Sequence, residues 1–199
     1  MRWTICLLML SVAPNALVTG QDKKAPASPL TLKIVNKSDS YALALSGTSE
    51  DLRKEIAKSI ADKNPLPPTR VKLELEFKNV GTKDLTFILG GDQSEVDFDL
   101  KGNGAVTEVI KRAFTREFRA GKKVKLAPGK THVLEIDELA FGKRNEEKAA
   151  WFVEYGPYTL GAKFRTSISP APEGTTANDG FGTVTIVADP IDFRVKNAN

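Results

Sequence analysis

Cysteine is almost missing from this 199-residue chain: Cys6 is the only one. Disulfides cannot brace the fold, and neither thiolate catalysis nor a cysteine-based metal site is open to the rest of the sequence. Histidine is equally scarce. His132 stands alone, so a zinc centre of the usual kind has too few ligands, and a Ser-His-Asp triad would have to be built on that one ring. Neither a P-loop nor a pair of metal-binding histidines occurs. Long apolar runs are lacking too. Residues 5–12 form a short one, far below the ~20 residues of a membrane-spanning helix. The formal net charge of +4 is too small to imply a nucleic-acid partner.

What is present begins with a leader. Arg2, the apolar run at 5–12 and the small residues Val18-Thr19-Gly20 before Gln21 make a signal-peptide pattern over residues 1–20. Cys6 does not follow the apolar run, where a lipoprotein cysteine would stand, so lipid anchoring is not supported. Cleavage after Gly20 would remove Arg2 and no acid, taking the charge from +4 to +3. The product would be an exported, periplasmic or extracellular protein without cysteine and without a permanent membrane span. Residues 21–29, rich in Lys, Ala, Pro and Ser, read as a flexible lead-in, and residues 30–196 as one domain.

Strict alternation is the main structural signal. Val71, Leu73, Leu75 and Phe77 are interleaved with Lys72, Glu74, Glu76 and Lys78, so a strand there has one apolar and one wet face. The same period recurs at Leu30, Leu32 and Ile34, at Val96, Phe98 and Leu100, at Tyr158, Leu160, Ala162 and Phe164, and at Ile191, Phe193 and Val195. Shorter runs at 85–89, 124–126 and 133–136 predict further strands, with Gly, Pro and Asn turns between them. The expected fold is all-β: an immunoglobulin-like antiparallel β-sandwich. Asp189-Pro190 interrupts the last strand, where a proline requires a bulge or an edge, and that strand is expected to pair with two neighbours in succession. One amphipathic helix is inserted at about residues 50–63. Leu52, Ile56 and Ile60 share one face, Thr48 or Ser49 caps the start, and Pro65, Pro67 and Pro68 end it. Its apolar stripe is expected to cover an open end of the sandwich.

The ordered pieces Asn79-Val80-Gly81, Val96-Asp97-Phe98-Asp99-Leu100, Leu126-Ala127-Pro128-Gly129 and Gly156-Pro157-Tyr158-Thr159-Leu160 resemble the BsuPI-type, intracellular proteinase inhibitor-like family, and with it many uncharacterised exported bacterial immunoglobulin-like proteins. The resemblance spans roughly residues 70–165. It implies the sandwich fold, and Gly-x-Tyr before an alternating strand is similar to a tyrosine corner. Proteinase inhibition is the activity it implies; export and the inserted helix depart from an intracellular inhibitor.

Candidate chemistry is sparse. His132 shares a strand face with Leu134 and Ile136 and reads as a packed histidine. Asp92, Glu95, Asp97 and Asp99 bring carboxylates together, yet alternate strand positions lie ~7 Å apart, too far to converge on one ion; a solvated acidic face is expected, with no metal and no cofactor. Lys111, Arg112, Arg116, Arg119, Lys122, Lys123 and Lys125 form a basic cluster opposed locally by Glu108 and Glu117. It suits an acidic polysaccharide or envelope surface. Residues 169–182 read as a long connection with Asn178, Asp179 and Phe181 as candidate contacts, since long loops in compact domains are often functional. The sequence thus predicts a non-enzymatic binding or structural module whose partner is a protein or envelope component, with inhibition of an extracellular proteinase or recognition of an acidic surface as the alternatives.

Overall fold

The computed structural model describes residues 28–43, 46–111, 116–143, 145–175 and 177–197. Residues 1–27, where the signal peptide with Cys6 and most of the lead-in are expected, and Arg112 lie outside the described residues. The chain forms strands β1 (Leu30–Asn36), β2 (Arg70–Asn79), β3 (Leu85–Leu89), β4 (Glu95–Lys101), β5 (Ala105–Ile110), β6 (Lys122–Leu126), β7 (Thr131–Glu138), β8 (Ala140–Lys143), β9 (Glu146–Phe152), β10 (Gly156–Ser169), β11 (Ala177–Asn178) and β12 (Phe181–Val195). Helix α1 (Ser49–Ala61) follows β1. The alternation of β2 is realised directly: Val71, Leu73, Leu75 and Phe77 are buried, while Lys72 and Lys78 are exposed.

Two antiparallel sheets enclose the main core. One has the order β1-β2-β7; the other runs β12-β10-β3-β6, with β11 added on β12 and β4 pairing with β10. Against the immunoglobulin pattern this is A-B-E facing G-F-C-C′, and the fold is an immunoglobulin-like sandwich with one inserted helix. Strands β4 and β5 are inserted between β3 and β6, and β8 and β9 between β7 and β10. The tyrosine corner is present: Tyr158, near the start of β10, donates its hydroxyl to the Glu154 carbonyl at 2.8 Å.

The centre of the sandwich is aromatic. Phe77 of β2 packs on Phe164 of β10 at 4.7 Å between ring centroids and on Phe87 of β3 at 5.1 Å, so both sheets meet in one cluster. Beside it lies Asn79, fully buried. Its amide donates to the carbonyls of Lys83 and Leu126, both at 2.9 Å, and its side-chain oxygen accepts from Gly81 N at 2.9 Å. The Asn-x-Gly motif is therefore a tie between a turn and the end of β6.

Three sequence expectations are corrected. Strands β5, β8 and β9 were not foreseen; they form a third sheet in the order β5-β9-β8. In β9 and just after it, Ala150 and Phe152 face the main core while Ala149, Trp151 and Val153 face a second one, so burial on both faces erases the period-two signal. Second, α1 does not cover an open end. Leu52 and Ile56 pack with Ile110, Ala149 and Trp151, so the helix lies over the outer face of this third sheet. Third, the segment 169–182 is not a structureless connection, because β11 pairs with the start of β12. The last strand, β12, pairs with β10 along its length and, on its other edge, with β11 at 181–182 and then with Tyr41 at Val195, and β10 likewise pairs in succession with β4 along 159–165 and with β3 at 168–169. The interruption at Asp189-Pro190 is the bulge that proline requires: Leu160 pairs with Ile191 and Ala162 with Ala188, leaving Gly161 opposite the Asp-Pro pair.

Removal of these ties should be costly. Phe164→Ala is expected to lower unfolding stability by about 3–5 kcal/mol through the cavity it leaves, and Asn79→Ala by about 1–3 kcal/mol because the buried Leu126 carbonyl and the half-buried Lys83 carbonyl lose their donor. Urea unfolding checks both; a loss under about 1 kcal/mol for Phe164→Ala would contradict the packing described.

Candidate functional site

The basic cluster and the glycine-rich segment, far apart in sequence, meet on the outer face of the larger sheet. Strand β6 sends Val124 and Leu126 into the core, so Lys123 and Lys125 point outward. In register, Lys123 pairs with Ile88 and Lys125 with Thr86 of β3. The Lys123 ammonium lies 5.2 Å from the centre of the Phe181 ring, at the start of β12, within cation–π reach. Phe181 is held there by a tight hairpin. It pairs with Asn178, and Asp179 and Gly180 between them have φ of 50° and 76°, the left-handed pair that a two-residue turn of this hand needs. Asn178 and Asp179 are exposed at its tip.

The approach to β6 is fixed by the 3-10 turn at Gly91–Gln93. Arg119 N donates to the Asp92 carboxylate at 3.0 Å, Asp92 N to the Arg119 carbonyl at 2.9 Å, and Gly121 N to Gln93 Oε1 at 3.3 Å. Gly121 passes so close to β3 that a Cβ added there would meet Ile88 Cγ2 at 2.5 Å. Ile88, outward-facing by alternation, is buried beneath this segment. Phe118, within it, is 66% exposed.

Not every member of the cluster joins this face. Lys125 is taken by Asp84 at 2.8 Å. Arg116 lines a cleft of about 280 Å³ together with Asp92, Glu95, Glu117, Lys143 and Arg165, a neutral mix of charges. Lys111 stands at the end of β5, beside the C-terminus of α1. Lys122 and Lys123 form no ion pair among the described residues. The acidic strand is solvated and neutralised: Asp97 is bound by Lys148 at 2.8 Å, Asp99 by Lys101 at 2.9 Å, and Glu95 faces Lys143 at 3.8 Å. Sequence reasoning passed over Phe118, although an aromatic between Arg116 and Arg119 was a readable cue, and over Lys143 and Arg165, whose place in the cleft is purely tertiary.

His132 packs edge-on against Phe87, with ring centroids 6.1 Å apart, at the margin of the core. Burial lowers its pKa from the ordinary 6.5, and the nearby Lys122 charge lowers it further.

Comparison with known proteins finds no matching family model and no matching curated protein. Among solved structures, the chain is similar to E. coli alpha-2-macroglobulin, with 16% identity and a TM-score of 0.36 over 86% of this chain, and it spans 7% of that protein's length. It is also similar to an ASH/PapD-like domain of human CEP192, with 14% identity and a TM-score of 0.26 over 94% of this chain and 100% of that one.

The depressed pKa of His132 has a defined consequence. The unfolded chain takes up the proton first, so stability should be full above the ordinary 6.5, fall as pH drops through it, and level off once the folded imidazole also protonates. A histidine NMR titration checks this directly, and Lys122→Met should raise the midpoint. A folded-state midpoint above 6.5 would contradict the placement of the ring.

Proposed function

We propose that the mature chain is an exported, non-enzymatic binding module that engages acidic polymers or surfaces outside the cytoplasm through the lysine-and-phenylalanine face of its larger sheet. The observation that carries this reading is the approach of Lys123 to Phe181, which joins the basic cluster and the 178–181 hairpin in one surface. Lys122 and Lys123 are available to an external anion, since no ion pair occupies them among the described residues. Exposed Phe118 and the ring of Phe181 add apolar faces against which the carbon skeleton of an acidic sugar can rest. The leader pattern supports export. No cofactor is needed for such binding.

The resemblance to proteinase inhibitor-like proteins supports a second reading, in which the 169–182 segment enters a proteinase. We favour the acidic partner. The part that carries Asn178, Asp179 and Phe181 is folded back on itself, with Ala177 paired to Gly182 and Asn178 to Phe181, so those residues form a tight hairpin rather than an extended strand for a protease cleft.

Mature protein is expected to be retained on immobilised polygalacturonate at low salt and released as salt rises, because exposed charges are screened over ~10 Å at 0.1 M. The double change Lys122→Glu/Lys123→Glu should weaken binding roughly tenfold, or about 1.4 kcal/mol, and Phe181→Ala by less. Lys111→Glu, remote from the face, should leave it unchanged. Retention that ignores salt or survives the double charge reversal would overturn the proposal.

A further inference from the structure

The fold separates Lys111 from the rest of the basic cluster and gives it different company. At the C-terminal end of α1 a cavity of about 750 Å³ opens between the helix and β5, within the size range of sites for small ligands. Ile60 and Pro65 line it from the helix side and Val109 and Ile110 from β5; Lys63 and Lys111 stand beside them. Behind the cavity lies the second core, where Ile60 packs against the cluster that holds Ile110 and Trp151. Val109 is 44% exposed, which leaves apolar surface open to the cavity.

Its charge is one-sided. Among the described residues no acidic one lines the cavity, both lysines are exposed, and neither is ion-paired. The carbonyls that end the helix are already in use: Asp62 N donates to the Lys58 carbonyl at 2.9 Å, Lys63 N to that of Ile60 at 3.1 Å and Asn64 N to that of Ser59 at 2.9 Å. The two ammonium groups are thus left to an external anion.

We propose that this cavity binds a single-chain amphiphile with an anionic head, a fatty carboxylate in chemical type. The tail lies along Ile60, Pro65, Val109 and Ile110, and the head is held by Lys63 and Lys111. A short apolar wall of four side chains accommodates one tail, and two cations beside it select the sign of the head. The site shares no residue with the sheet face of Lys122, Lys123 and Phe181, so each can fail alone.

Dodecanoate, kept below its micelle concentration, tests the site by calorimetry and by fluorescence of Trp151, the one tryptophan left after Gly20. Saturable one-to-one binding is expected, with a change in Trp151 emission. Octanoate should bind at least tenfold more weakly, since each buried methylene contributes about fourfold, and dodecyltrimethylammonium at least tenfold more weakly. Lys63→Glu/Lys111→Glu should weaken dodecanoate binding tenfold or more without moving the melting temperature, because both side chains are exposed. Val109→Phe should fill the cavity and abolish binding, whereas Lys122→Glu/Lys123→Glu should leave it intact. No saturable binding, equal binding of the cationic amphiphile, or undiminished binding by the Lys63/Lys111 variant would overturn the assignment.

Discussion

The tilted packing of Phe77 against Phe164, 4.7 Å between centroids, is the contact on which the rest of the molecule depends. It joins β2 to β10, the pair that a disulfide bridges in antibody domains, and with no cysteine beyond Cys6 the sheets have no covalent alternative. An aromatic pair adds about 0.5–1.5 kcal/mol beyond its area burial, so one pair does not suffice. Phe87 extends it to β3 at 5.1 Å, and Tyr41, Phe152, Tyr158 and Phe193 continue the packing toward the other end of the sandwich. Polar ties then fix the turns. Asn79 secures one end, and at the other the Glu154 carbonyl accepts from Tyr158 while its carboxylate accepts from Ser49 at the start of α1.

That rigid interior sets the outer face. β3 is buried between β10 and β6, and Ile88 on its outer side is covered by the segment that the Gly91–Gln93 turn holds in place. Lys123 therefore projects from a fixed floor toward Phe181 instead of waving from a loop. The lysines of β6 also serve the fold. β6 is an edge strand, and charge along an edge discourages pairing with another chain. The proposed recognition face and this guard against edge pairing draw on the same residues.

Local periodicity made much of this legible. β2, β10 and the end of β12 read as strands because one face of each is wet, and α1 read as a helix because Leu52, Ile56 and Ile60 recur at spacing four. β9 did not, since Ala149-Ala150-Trp151-Phe152-Val153 is buried on both sides and presents no alternation. The docking of α1 was hidden for the same reason, its partner being that strand. A charge tally located the basic cluster but could not divide it: Lys125 goes to Asp84, Lys111 to the helix end and Lys123 to Phe181, a partition made by tertiary contacts alone. The tyrosine corner and the Asn-x-Gly turn were visible because their hydrogen bonds are local.

The most direct measurement is a hydrogen-exchange footprint of the mature protein with and without polygalacturonate. Protection should be confined to residues 116–125 and to the 177–183 hairpin, the two segments joined through Lys123 and Phe181. Protection that fell on β7 or on the third sheet, or none at saturating ligand, would contradict the assignment of this face as the binding surface.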